Sequence, residues 1–585
     1  MCTPFTRHTP ILTECPLTTC CDYKVAYSCK KIDCCPEQVS TDPMDIELSA
    51  LSVDFNQDEG VPLATFFIGD GPGIIRGTWT AMTLDDPMVT TTGDIFTTVI
   101  NNEFTIAIPL NTTDLQITIN LPQVNITLTS PANSVMFRLS EEELNLYMAF
   151  KYANQVAIDT SGLDHETPVA PVVQHQLGPH RSSRAMAIVH IAMFDALLAI
   201  SGYNNYTPYS YVSAPIDASP EAALYQAVHD ALIGLYPSHQ PRLDLILSGM
   251  LATIPDGSLK DNGIAIGAAA AASILADRTG DGTPVGEQIY GVDFPTTTTF
   301  GEWRPAPNAA SQVALGRLWG TSVTPFFLVS NTEVSFPPFN DFTSREYAMD
   351  FNNIKSVGGD GTVTPTVRSQ EQTYLGYYFA YDGVPTLCAP PRLYNQIAFP
   401  ILADHLNTVI EIARGIALLH VGMADAGISS WYYKYFYNIW RPVTAMREPT
   451  TNTVNSETIH DPNWLPLGAP ASNTMGDNFT PPFPAYPSGH ATFGGVTFQL
   501  LRNLLGTDVV PFTFLSDELN GETIDNITDL PRAEIPRAFT TLSQAEEENA
   551  YSRIPLGIHF NQDKNGLLLG NDIADLLVAR VYPSV

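Results

Sequence analysis

The sequence predicts a mainly α protein: a helical domain over residues 139–585 carries the chemistry, and a smaller β-rich domain over 44–138 precedes it. Three observations predict this. From about residue 139 onward, apolar residues recur at three- and four-residue spacing, the period of a helix with one buried face. Between 44 and 135, short Thr-, Ile- and Val-rich runs alternate apolar with polar, separated by Asn and Pro, as antiparallel strands joined by turns do. At 585 residues the chain is longer than one core usually serves, so several domains are expected.

In chain order, residues 1–43 form a cysteine-rich segment. Seven of the eight cysteines lie there (Cys2, Cys15, Cys20, Cys21, Cys29, Cys34, Cys35), and Cys388 stands apart. No Cys-x-x-Cys is present, so a zinc ribbon has no support. A disulfide-stapled segment is the preferred reading and implies an oxidising compartment. Seven is odd, which leaves Cys388 or a second chain to supply the last partner; a homo-oligomer is compatible with the sequence. The first residues lack the apolar core of a signal peptide, and five Asn-x-Ser/Thr sequons are compatible with secretion but weigh little.

The β-rich stretch includes Phe104-Thr-Ile-Ala-Ile, Leu115-Gln-Ile-Thr-Ile and Val124-Asn-Ile-Thr-Leu. The Gly69-Asp-Gly-Pro-Gly run reads as a turn and does not fit a nucleotide fingerprint. Helices are expected over 184–200, 220–235 and 262–276. A long helix over 401–430 carries the stripe Leu402, Leu406, Val409, Ala413, Ile416 and His420, which makes His420 a core histidine rather than a ligand. Residues 279–310 and 331–366 read as long Pro- and Gly-rich loops. No apolar run reaches the roughly 20 residues of a membrane span; 263–276 comes nearest. The net charge of −33 argues against nucleic-acid and anionic-membrane partners, both of which need basic surface.

In so acidic a chain, three clusters of cations and histidines need a reason. Pro481-Pro-Phe-Pro-Ala-Tyr-Pro-Ser-Gly-His490 reads as a rigid extended approach to a helix start. Ser488 sits at the N-cap, Gly489 allows close backbone approach, and the first N–H groups suit an anion. Lys434 and Arg441, seven residues apart among aromatics, are expected two turns apart on one helix face. Arg553 offers a planar fork for an oxyanion, and Asp563, four residues after His559, is placed to fix the tautomer of that ring. Each cluster alone has a plain structural reading: a capped helix, snorkelling cations, an ordinary Arg or His. Together they supply three cations, a hydroxyl, a backbone N–H and two histidines, an inventory that matches one dense tetrahedral oxyanion.

Lys-x6-Arg-Pro, then Pro-Ser-Gly-His, then Ser-Arg-x5-His-x3-Asp resembles the three-part signature of vanadium-dependent haloperoxidases and the related acid phosphatases. The context (Met423-Ala-Asp-Ala-Gly-Ile, Trp303-Arg-Pro-Ala-Pro and Pro482-Phe-Pro-Ala-Tyr-Pro) resembles the haloperoxidases, chloroperoxidase-like members in particular, over roughly 140–585. The resemblance implies an all-helical fold built on two four-helix bundles that holds vanadate. It implies His559 as axial vanadium ligand, with Lys434, Arg441, Ser488, the Gly489 N–H and Arg553 holding the oxygens. His490 is implied as the acid–base group, Lys434 as the group that polarises bound peroxide, and Asp563 as the support of His559. Hydrogen peroxide, a halide and a small organic acceptor are the implied partners, and hypohalous acid the product. Phe483 and Trp431 resemble the chloroperoxidase pattern of the halide pocket, where algal bromoperoxidases carry His in place of Phe483, so chloride as well as bromide is expected to be oxidised. The alternative on the same scaffold is an acid phosphatase, with His559 as nucleophile and His490 protonating the leaving group; a non-catalytic oxyanion binder is a third reading.

Overall fold

The computed structural model describes residues 141–581, apart from 167–172, 203–205, 214–216, 308, 310 and 453, together with the backbone of seven strands between 48 and 129. The cysteine-rich segment, the glycine run at 69–73 and the expected domain boundaries at 43 and 138 lie outside the described residues. The strands are β1 (Leu48–Asn56), β2 (Val61–Ile68), β3 (Ile74–Thr83), β4 (Thr90–Thr98), β5 (Glu103–Ala107), β6 (Leu115–Leu121) and β7 (Val124–Thr129). They form two antiparallel sheets, ordered β1-β2-β5 and β4-β3-β6-β7. Ile117 in β6 pairs with Ala81 on one side and Leu128 on the other.

The helices are α1 (Glu141–Asp164), α2 (Gly178–Ser201), α3 (Pro220–Leu235), α4 (Gln240–Ala252), α5 (Ser258–Asp277), α6 (Trp319–Ser322), α7 (Arg345–Val357), α8 (Gln370–Tyr378), α9 (Pro390–His405), α10 (Val409–Tyr437), α11 (Pro442–Arg447), α12 (Gly489–Leu505), α13 (Leu542–Tyr551) and α14 (Gly566–Val581). They assemble as two four-helix groups. In the first, α3 packs on α1, α2 and α5; in the second, α10 packs on α9, α12 and α14; the α2–α10 contact joins them. By composition α2 is apolar enough to span a membrane, but 94% of its most apolar window is buried inside the protein. It is a core helix.

Several expectations change. The helix expected over 401–430 is two helices. Leu406 caps α9, and Thr408 with Glu411 forms a capping box that starts α10, satisfying first-turn donors that a continuous helix would not expose. The apolar stripe crosses the break because both helices bury the same side: Leu402, Val409, Ala413 and Ile416 are all buried. The 331–366 loop contains α7, whose Tyr347, Phe351 and Ile354 face the core. In 279–310, residues Gln288–Ile289 (β8) pair with Val313–Ala314 (β9). His420 is a core histidine, 2.9 Å from Asn395 and stacked on His190 at 4.1 Å. Cys388 is a buried free thiol 3.0 Å from Ser161 Oγ, with no disulfide partner among the described residues.

The crossing of α12 and α14 positions the cationic clusters. Gly495 on α12 lies so close to α14 that a Cβ would stand 2.3 Å from the Leu567 carbonyl, and a Cβ on Gly570 of α14 would stand 2.2 Å from that of Thr492. Only glycine permits this approach. It brings the start of α12, at Ser488, against the segment leading into α14, where the Ser488 N–H donates to the Asp563 carbonyl at 2.9 Å.

Candidate active site

The proline-rich strand is organised by what proline removes. Pro481, Pro482, Pro484 and Pro487 have no N–H to enter a ladder, so neighbouring carbonyls are left to take other donors. Two buried cations supply them. Lys434 Nζ donates to the carbonyls of Pro484 (3.0 Å), Ala485 (3.2 Å) and Pro487. Arg441 Nε donates to the Phe483 carbonyl at 2.8 Å. The strand ends at Ser488, the N-cap of α12, whose hydroxyl accepts the Ala491 N–H. Gly489 and His490 open the helix, where N–H groups have no intrahelical acceptor.

Lys434 and Arg441 do not share a helix face. α10 ends at Tyr437, Asn438 turns the chain in the left-handed region (φ 51°), and Arg441 is the N-cap of α11. The turn still folds Arg441 back onto the same strand as Lys434. Arg441 Nη1 also reaches the Ile558 carbonyl and His559 Nε2, both at 2.9 Å. His559 Nδ1 lies 2.7 Å from Asp563, which also accepts the Phe560 N–H. The carboxylate therefore accepts the Nδ1–H, which leaves the Nε2 lone pair facing Arg441 Nη1.

A cavity of about 220 Å³ opens on Gly489, His490, Arg553 and His559, with Trp431 and Phe483 on its wall. Lys434, Arg441 and Ser488 are not among the residues that line it. The Trp431 and Phe483 rings lie 5.1 Å apart, with Lys434 Nζ 5.0 Å from the Phe483 centroid. His490 Nε2 lies 2.6 Å from the Ala380 carbonyl, which makes that nitrogen the donor and leaves Nδ1 with the lone pair.

The electrostatics are those of a buried cationic cage that Asp382 and Asp563 offset only in part. Burial, reinforced by Arg441, pushes the Lys434 ammonium well below its usual range. Burial lowers Arg441 to about 9, although Asp563 opposes this. Burial and the neighbouring cations hold both His490 and His559 well below an ordinary imidazole. Burial lifts Asp563 to about 7, against its Phe560 hydrogen bond and Lys434. Arg441 Nη2 and Arg553 Nε and Nη1 are buried without a protein acceptor. Each such donor costs free energy unless an acceptor arrives. Three guanidinium nitrogens without an acceptor, beside a histidine whose Nε2 lone pair meets only Arg441, suit a multiply charged oxyanion such as vanadate.

Sequence reasoning missed four contributors. Asp382 binds Arg553 through both carboxylate oxygens, at 2.7 and 2.6 Å. The Ala380 carbonyl orients His490. Tyr394 and Asn549 donate to the His490 carbonyl at 2.8 and 3.0 Å. Asp382 lies 171 residues from its arginine in a turn with no motif, and a backbone carbonyl leaves no trace in sequence.

Residues 414–584 match the family described as the second helical-bundle domain of VCPO. The vanadium chloroperoxidase of Curvularia inaequalis is 30% identical over 495 residues, 70% of this chain and 78% of that protein. The fold resembles the first bacterial vanadium-dependent iodoperoxidase structure, with a TM-score of 0.58 and 20% identity, covering 74% of this chain and 96% of that one. It also resembles an apo-type bacterial vanadium-dependent chloroperoxidase, with a TM-score of 0.52 and 16% identity over 70% and 96% of the two chains. With a curated relative this similar over so much of its length, and a cationic cage on the matching helices, the chain belongs to the vanadium-dependent haloperoxidases.

Proposed function

We propose that Lys434, Arg441, Ser488, the Gly489 N–H and Arg553 would hold the oxygens of vanadate, with His559 as the protein's ligand to the metal and His490 as the acid–base group. The protein is an oxidoreductase that uses vanadate to oxidise halide with hydrogen peroxide. Halide, peroxide and one proton become hypohalous acid and water, and a small organic acceptor takes the halogen. The observation that carries the site assignment is the set of acceptorless guanidinium N–H groups beside the His559 Nε2 lone pair.

When bound, vanadate would supply a Lewis acid that activates peroxide towards halide. The chain does the rest. Asp563 keeps the His559 proton on Nδ1, so Nε2 remains a donor atom. The Ala380 carbonyl keeps the His490 proton on Nε2, so Nδ1 is free to take a proton from peroxide and return it to the leaving oxygen. Burial and the cations keep that ring neutral, with its lone pair open to a proton. Lys434 and the two arginines balance the oxyanion's charge and draw electron density from its oxygens. Trp431 and Phe483 form an apolar wall that strips water from the halide, which favours oxidation of chloride as well as bromide.

The test is to load the purified protein with vanadate and supply peroxide, bromide or chloride, and a halogen-accepting dye. Dye halogenation that disappears in phosphate buffer is expected; phosphoester cleavage without halogenation would replace this reading with the phosphatase. His559→Ala is expected to lose bound vanadate by elemental analysis, and normal metal content in that variant would remove His559 as the metal ligand.

A further inference from the structure

Trp431 is gripped from two directions, and both grips lead to one carboxylate. On its indole edge, Nε1 donates to the Leu315 carbonyl at 3.1 Å. The next residue, Gly316, has φ 71° and passes so close that a Cβ would stand 2.2 Å from Nε1. The 313–316 segment therefore cannot shift without moving the indole. On the other side lies the ring of His180, with centroids 5.4 Å apart, itself set edge-on against Trp319 at 4.8 Å. His180 carries no hydrogen bond on Nδ1, so Nε2 is its only hydrogen-bonded ring atom.

Glu287 holds both grips. One oxygen accepts the Gly316 N–H at 2.6 Å. The other takes His180 Nε2 at 3.2 Å and Arg181 Nε at 3.0 Å. The β8–β9 pairing, which starts one residue after Glu287, presents the carboxylate to the 313–316 segment. That segment also carries the Leu315 N–H to the Pro482 carbonyl, 3.0 Å away, next to Phe483. The carboxylate thus spans the two groups that locate the indole.

We infer that Glu287 is the positioning residue for the Trp431 wall and, through it, a determinant of halide affinity. This rests on the assignment of Trp431 and Phe483 to the halide pocket. Glutamine keeps the length of the side chain but has one acceptor oxygen, so it cannot serve the Gly316 N–H, His180 and Arg181 together. Aspartate keeps both oxygens and the charge but is one methylene too short to span the two grips. Both changes should let the indole drift, and a loosened wall should weaken halide binding more than it slows chemistry.

The experiment uses vanadate-loaded Glu287→Gln, Glu287→Asp and Trp431→Phe beside the wild type. For both Glu287 variants the bromide KM should rise about five- to tenfold with kcat within about twofold, the mark of lost binding rather than lost transition-state stabilisation. Vanadate affinity should stay unchanged. The emission of Trp431, taken as wild type minus Trp431→Phe and repeated in each Glu287 background, should move to longer wavelength as water reaches the ring. If Trp431→Phe shifts the bromide KM and the Glu287 variants do not, the inference is overturned while the pocket assignment stands. If Trp431→Phe leaves the bromide KM alone, the pocket assignment fails, and the emission then decides separately whether Glu287 positions the ring. A lower bromide KM in Glu287→Gln with Glu287→Asp silent would mean a simple charge effect, and weakened vanadate binding would mean general disruption; either overturns the inference.

Discussion

His490 and Phe483 lie seven residues apart, one at the start of α12 and one on the proline-rich approach to it, and do different work. His490 is tied by Nε2 to the Ala380 carbonyl and by its own carbonyl to Tyr394 and Asn549, so the ring faces the cavity in a fixed tautomer. His490→Gln is expected to bind vanadate normally while kcat falls by about 10²–10⁴, the usual worth of a general acid–base group; vanadate loss instead would make the residue part of the cage. Phe483 sits beneath Lys434 and Arg441, each about 5 Å from its ring. Phe483→His puts a polar edge where the wall is dry, and the ratio of bromide to chloride kcat/KM is expected to rise; an unchanged ratio would remove Phe483 from halide selection. At this scale the sequence was informative where function requires particular residue types at short spacing, as in Pro-Ser-Gly-His. It was silent on Asp382 and Glu287, whose partners are brought to them only by the fold.

The crossing of α12 and α14 sets the cage at the level of elements. Its closeness depends on Gly495 and Gly570, each meeting a backbone carbonyl that cannot swing aside. Gly570→Val forces the helices apart, at a cost of about 1–3 kcal/mol by analogy with overpacked cores. The separation acts on the Ser488–Asp563 contact, and so on the placement of His559. The variant is expected to unfold at lower temperature and to hold vanadate more weakly even where it remains folded; full vanadate affinity would show that the cage tolerates a wider crossing. The sequence pattern pointed to a helix starting at Ser488 but not to its close crossing with α14. It also ran α9 into α10, because a stripe of buried residues continues across a break that only the Thr408–Glu411 capping box marks. The Lys434–Arg441 pair misled for a related reason. A spacing of seven fits one helix face, but the Asn438 turn brings the two side chains together by another route.

The two helix groups meet at a buried polar knot: Asn154 of α1, His190 of α2, Asn395 of α9 and His420 of α10. The stripe in the sequence placed His420 in the core, but nothing in it predicted a second ring stacked 4.1 Å away. Burial lowers His190 to about 4 and, with His190 beside it, pushes His420 well below an ordinary imidazole. In the unfolded chain both titrate near 6.5, so below that pH the unfolded state binds protons that the folded state refuses. Stability therefore falls as pH drops from 6.5, and the His190 share levels off only near pH 4. The raised Asp195 and Asp425 carboxyls, at about 7 and 6, act in the opposite sense: the stability they contribute is present at low pH and lost as pH rises through those values. His190→Phe keeps a ring against His420 and removes one titration from the junction. Its fall in unfolding free energy between pH 7 and pH 4.5, read from urea transitions of helical circular dichroism, should be smaller than the wild type's by about 2 kcal/mol. An identical fall in both proteins would mean that the knot opens to water on acidification and that the two helix groups are not locked together there.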